Sequence, residues 1–113
     1  MSVTIYHNPR CSKSRQTLEL LRENGVEPEI VEYLDTPPAV DELTRILGML
    51  GVAAKEIVRG KEAGEEGVDA AALDEQALVR AIHEHPRIMQ RPIVVSGDKA
   101  AMGRPPECVL EIL

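Results

Sequence analysis

The 113-residue chain has no phenylalanine and no tryptophan, and its only tyrosines are Tyr6 and Tyr33. A groove that stacks successive bases is therefore not available to it. Positive charge is also short, since 13 Lys and Arg stand against 19 Asp and Glu for a net charge of −6. That balance argues against nucleic-acid binding, which needs a basic surface to release counterions. No apolar run approaches the roughly 20 residues of a membrane span, and Met1-Ser2-Val3-Thr4 does not resemble a signal peptide. Cysteine is scarce as well, with Cys11 and Cys108 alone. Without a targeting segment, these two point to a reducing cytoplasm, where a lone thiol is more often a reagent than half of a structural disulfide. What remains, 43% hydrophobic and 28% charged, is ordinary for one soluble domain with a core of Leu, Ile, Val, Ala and Met.

The order of elements can be read along the chain. Val3-Thr4-Ile5-Tyr6 is rich in β-branched and aromatic residues and reads as a strand. Leu18 and Leu21 then repeat at helical spacing until Asn24-Gly25 supplies a stop, and Glu29–Leu34 alternates well enough for a second strand. Strand, helix, strand makes a βαβ unit with parallel strands and a right-handed crossover. Thr36 can cap a following helix with Pro37 at its first position, and Val40, Leu43, Leu47 and Leu50 give it one apolar face closed by Gly51. Ile57-Val58 reads as a helical turn, Gly60–Gly67 as a mobile loop, and Asp74 as the cap of a further helix running to Pro86, with Leu73 and Leu78 placed for a hydrophobic staple. Ile93-Val94-Val95 and Ala100-Ala101-Met102 flank Gly97-Asp98, a hairpin signal. Pro105-Pro106 opens a short terminal helix with Val109, Leu110 and Leu113 toward the sheet and Cys108 in a packing role. The expected fold is α/β and thioredoxin-like (glutaredoxin-like): a four-stranded mixed sheet in a single domain, 1–113. A helical insertion at about 37–85 separates strand 2 from the C-terminal hairpin.

Cys11 falls at the junction of the first strand and helix. Unpaired amides and the positive end of the helix dipole favour a thiolate there. Helix starts normally carry acids, and the two other well-marked starts do, at Asp41-Glu42 and Asp74-Glu75. The Cys11 helix instead opens among Arg10, Lys13 and Arg15, with no acid before Glu19. In a chain with acids to spare, that reversal points to an anion site. The bland alternative is a small buried cysteine beside a solvated cationic face. Three further arginines stand out: Arg59 after Ile57-Val58, Arg91 before Pro92, and Arg104 before Pro105. An arginine before proline is pushed toward extended backbone, and guanidinium groups bind tetrahedral oxyanions through paired N–H donors. Other motifs fail on spacing. A phosphatase-type loop needs Cys, five residues, then Arg, and position 17 is Thr17. His83 and His85, two apart on a helix, point to different sides, so no metal site is expected.

Four stretches together resemble the glutaredoxin-linked arsenate reductase family of the ArsC type. They are His-Asn-Pro-Arg-Cys-Ser-Lys-Ser-Arg at 7–15, Tyr-Leu-Asp-Thr-Pro-Pro at 33–38, Arg-Pro-Ile-Val-Val at 91–95 and Gly-Arg-Pro-Pro-Glu at 103–107. The resemblance runs in order over essentially the whole chain and fits a compact branch without the longer C-terminal tail of fuller members. It implies that Cys11 attacks arsenate, that Arg59, Arg91 and Arg104 bind the oxyanion, and that His7, Ser14, Arg15 and Pro92 support the site, with a cis Arg91–Pro92 bond. It also implies glutathione as co-substrate and glutaredoxin as partner, with no cofactor or metal bound. Cys11-Ser12-Lys13-Ser14 lacks the second cysteine of a CxxC pair, which agrees with an external thiol supplying the second electron. Two alternatives stay open. One is a general glutathione-dependent monothiol oxidoreductase. The other is a regulator of RNA polymerase of the Spx type, against which Ser14 stands in the place of the second switch cysteine.

Overall fold

Strand β1 (Val3–His7) lies at the centre of the sheet. It pairs in parallel with β2 (Glu29–Glu32), with Ile5 opposite Ile30, and antiparallel with β3 (Ile93–Ser96), with Ile5 opposite Val94. Strand β4 (Lys99–Met102) completes the order β2-β1-β3-β4 through a hairpin that turns at Gly97-Asp98, as expected. The computed structural model describes residues 2–90 and 92–113. Their contacts cluster into two compact units, Met1–Thr36 with Arg91–Leu113, and Pro37–Gln90.

In the first unit, helix α1 (Ser12–Glu23) makes the crossover between β1 and β2. Its apolar face, Leu18 and Leu21, packs on Ile5, Val94 and Val109. Ile5, Leu21, Val94 and Val109 are fully buried, and side chains of this size each contribute roughly 1.5–3 kcal/mol on burial. α1 stops where the Asn24-Gly25 signal placed its end. Gly25 takes φ +78°, and Val26 N–H and Gly25 N–H return to the carbonyls of Leu21 and Arg22 at 2.9 and 3.1 Å. This is a Schellman closure that a residue with a Cβ would strain. Strand β2 ends at Glu32, earlier than alternation suggested; Tyr33 is fully buried beyond it while Leu34 is 42% exposed.

The terminal segment differs from the expected helix face. Pro106–Ile112 is a 3-10 helix, with three residues per turn, so positions three apart share a face. Pro106 and Val109 are accordingly buried and Ile112 packs against the core, while Leu110 and Leu113 are 37% and 46% exposed. Cys108, one step off that face, is half-buried and unbridged.

The second unit is helical. Helix α2 (Val40–Leu50) begins three residues later than expected, with Ala39 as its cap. Pro38 disfavours helical backbone at Pro37, so Thr36 and Pro37 cannot open it. Leu43, Ile46 and Leu47 are its buried face, and it closes on left-handed Gly51. A 3-10 turn at Ala54–Ile57 follows. Gly60–Glu65, expected as a loop, forms helix α3. Two glycines make this helix weak by propensity, but Glu62 and Ala63 are buried and the C-terminal amides of Gly67 and Val68 bond back to Gly64 and Ala63. Helix α4 (Glu75–Glu84) starts at Asp74 as expected, the Asp74 carboxylate accepting from Ala77 N–H at 2.8 Å, and buries Leu78, Val79, Ala81 and Ile82. A 3-10 turn at Pro86–Ile88 leads back toward β3.

Candidate active site around Cys11

The loop between β1 and α1 is shaped by Asn8, a residue whose role its position in the sequence does not announce. Its side-chain oxygen accepts from Arg10 N–H at 3.0 Å, and its carbonyl accepts from Cys11 N–H at 3.0 Å. An Asn-Pro pair is a local turn signal, and here the turn delivers Cys11 to the N-cap of α1 with extended backbone, φ −92° and ψ 123°. Among the described residues no side chain caps this helix, and its first turn holds no acid. The sulfur of half-buried Cys11 is thus placed beside the positive end of α1.

Beneath the loop, His7 and Ser14, two of the expected supporting residues, lie together. His7 Nδ1 lies 2.6 Å from Ser14 Oγ, which also accepts from Asn8 N–H at 3.0 Å. Both residues are buried, His7 at 6% exposure and Ser14 fully. Burial is the largest cause lowering the His7 pKa below 6.5, with Arg22 and Arg15 lowering it further against the pull of Glu32. Burial thus disfavours the charged form of His7, whose ring meets Ser14 Oγ beneath the loop. Arg15 is exposed, and its Nη1 donates to the Pro9 carbonyl at 3.2 Å, bracing the loop from outside.

Arg104 reaches the same sulfur from the other end of the chain. Its Nη2 lies 3.8 Å from Cys11 Sγ across 93 positions of sequence, a charge-assisted N–H to sulfur contact. Gly103 makes the approach possible. A Cβ on Gly103 would stand 2.8 Å from Pro92 Cγ and closer still to Thr17 Oγ1, so only glycine lets the chain leave β4 flush against α1. Gly103 N–H donates to the Pro92 carbonyl at 3.0 Å, and Pro92 is buried. Arg104–Pro105 is a cis peptide bond. Arg91, and with it the expected cis Arg91–Pro92 bond, lies outside the described residues.

Arg59 belongs to the second unit, where it caps α3. Its N–H donates to the Ile88 carbonyl at 2.7 Å, beside the Val58–Met89 bridge, and its Nε donates to Glu62 Oε2 at 2.5 Å. The two histidines of the 83–85 run have separate partners, His83 at the Pro38 carbonyl (2.8 Å) and His85 at Glu66 (3.0 Å). The second unit also holds a cleft lined by Val40, Leu47, Val52 and Val79, with no cysteine or histidine in its walls.

A cysteine at a helix N-terminus with no side-chain cap among the described residues, beside a buried His-Ser pair and touched by an arginine, is a geometry suited to oxyanion chemistry. Comparison with known proteins shows the family. The ArsC family model matches residues 6–112.

The chain belongs to the ArsC family.

An arsenate reductase of Neisseria meningitidis serogroup A is 49% identical over 98% of this chain and 97% of its own. A solved structure described as arsenate reductase from Vibrio cholerae superposes with a TM-score of 0.93 at 48% identity, covering 100% of this chain and 98% of its own. The Escherichia coli K12 protein YfgD, named as uncharacterized, is 54% identical over 98% of this chain and 96% of its own. The mixed four-stranded sheet with its helices is thus the thioredoxin-like fold of this ArsC member, and no described helix is long and apolar enough to cross a membrane.

Proposed function

We propose that this ArsC-family chain is a cytoplasmic arsenate reductase that uses Cys11 as nucleophile and glutathione, with glutaredoxin, as reductant. The observation that carries the reading is the Arg104 guanidinium at 3.8 Å from a cysteine sulfur on an uncapped helix N-terminus. Both features favour the thiolate and stabilise the negative charge that gathers on a bound oxyanion. Arg59 and Arg91 are the further oxyanion ligands in this reading. Lysine would replace any of the three poorly, because a point charge cannot make their paired contacts.

The steps balance as follows. The Cys11 thiolate attacks arsenic, forming an S–As bond and displacing hydroxide, which leaves as water once protonated. A glutathione thiolate then attacks the Cys11 sulfur. An S–S bond forms, the S–As bond breaks, and its electron pair stays on arsenic, which passes from As(V) to As(III) and is released as arsenite. Cys11 is left in a mixed disulfide with glutathione. A second glutathione, through glutaredoxin, restores the thiol and yields oxidised glutathione. No bound cofactor is required, since both electrons come from thiols.

The test is an arsenate reduction assay with glutathione and glutaredoxin beside Cys11→Ser, with a glutathionylated peptide as competing substrate. Arsenite should form with the native chain, fall on the order of 1000-fold or more in the variant, and be accompanied by glutathione on Cys11 in mass spectra taken during turnover. Efficient turnover of the peptide with none of arsenate would overturn the proposal.

A further inference from the structure

Glu62 is a carboxylate with only 9% of its surface exposed, on a six-residue helix whose two glycines give it little strength of its own. Buried carboxylates are normally paired, and this one accepts from Arg59 Nε at 2.5 Å across one helical turn. Resting on the reading above, in which Arg59 binds the oxyanion, we propose that Glu62 is the positioning residue for Arg59, turning its guanidinium so that the Nη end is presented to substrate.

The geometry has three parts. Arg59 is fixed at its backbone by the 2.7 Å bond to Ile88, and Gln90 N–H donates to Ile57 at 2.6 Å on the other side of the Val58–Met89 bridge. The guanidinium is then held at Nε by Glu62, while Gln90 Oε1 stands at a long 3.4 Å from Nη1. Arginine has five N–H donors in a planar fork. With Nε taken, the pair left for a bidentate oxyanion contact is Nη1 and Nη2. The side chain is 26% exposed, so the fork is partly open. A free arginine would have to surrender much of its rotamer freedom to make that contact, and the Glu62 bond removes that freedom in advance.

Charge alone predicts the opposite of positioning. Removing a carboxylate near an anion site makes the site more positive and should tighten anion binding. Positioning predicts weaker binding, so the sign separates the two. The measurement is the arsenate concentration that half-protects Cys11 from alkylation by iodoacetamide, on the full chain, with thermal melting as a check on folding. Glu62→Met keeps the length and loses the acceptor, and should raise that concentration about tenfold. Glu62→Gln loses the charge, keeps an oxygen for Nε, and should stay within about threefold of the native chain. In an Arg59→Ala background Glu62→Met should add nothing. If Glu62→Met does not fold, Glu62→Asp, one methylene too short for the same bond, should weaken protection in its place. Tighter or unchanged protection in Glu62→Met, or an effect that persists without Arg59, would overturn the proposal. Unchanged protection in Arg59→Ala alone would instead remove Arg59 from the oxyanion site, and with it the role given to Glu62. Failure of arsenate to protect the native chain would overturn the arsenate reading itself.

Discussion

The starts of α1 and α4 are built on opposite plans. α4 opens on Asp74, whose carboxylate caps Ala77 N–H at 2.8 Å, and Glu75 follows in the first turn. α1 opens on Cys11, with no side-chain cap among the described residues and no acid in its first turn, among Arg10, Lys13 and Arg15. A cap is worth about 1 kcal/mol and an acid near the dipole about 0.3–1 kcal/mol, so α4 is arranged for its own stability and α1 forgoes it. In a chain with 19 acids, the two starts differ in the charge they offer, and the proposed function gives that difference its purpose.

The contrast is broken most severely at the sulfur's partner. Arg104→Lys keeps the charge but loses the planar fork, and kcat/KM for arsenate should fall by about 100-fold, the scale of one lost oxyanion donor. Wild-type values in Arg104→Lys would show that its 3.8 Å contact with Cys11 has no part in turnover. A smaller change inverts the plan directly. Lys13→Glu gives α1 the acid it lacks and should raise stability to urea by about 0.3–1 kcal/mol. At the same time it should lower kcat/KM about tenfold and move the pH midpoint of Cys11 alkylation upward. Loss of stability together with unchanged activity would mean the cations serve the fold and not the anion.

The converse test is at α4. Asp74→Ala should cost about 1 kcal/mol by denaturant melting and leave arsenate turnover untouched, since α4's cap serves only α4. The smallest effect is a pH dependence. Burial holds His7 below 6.5, so as pH falls through 6.5 the unfolded chain takes up a proton that the native chain refuses. Stability from His7 is therefore complete above that value and is lost on acidification toward its lower folded pKa. Urea midpoints taken from about pH 8 to about pH 5 should decline, and His7→Gln should flatten the decline. An identical slope in His7→Gln would assign the acid sensitivity to other groups.

Much of this was legible locally because the relevant signals span only a few residues. Asn24-Gly25, Gly51, Asp74 and Gly97-Asp98 each carry their own backbone or capping chemistry, and all four act where the sequence placed them. Cys11 at a helix N-terminus followed from the same reasoning. Where expectations went astray, a nonlocal or competing term decided. Pro38 moved the start of α2 to Val40, and burial of Glu62 and Ala63 turned a Gly-bearing run into α3. At the end of the chain, a 3-10 period replaced the α period and brought Pro106, Val109 and Ile112 to the core in place of Leu110 and Leu113.

The sequence by itself determined the strand-helix-strand opening and the terminal hairpin, the stops at Gly25 and Gly51, the cap at Asp74, the cationic helix start and the family, because these are written in short stretches and their spacing. Tertiary structure alone decided which distant groups meet and in what charge state. Arg104 arrives at Cys11 from 93 positions away because Gly103 leaves no side chain between β4's exit and Thr17. Burial in the folded chain disfavours the charged form of His7, and the Arg59 guanidinium is held by a carboxylate three residues on that only a buried α3 brings into reach. Contacts of this kind depend on the closing of long loops and on the removal of water, neither of which a local stretch of residues encodes.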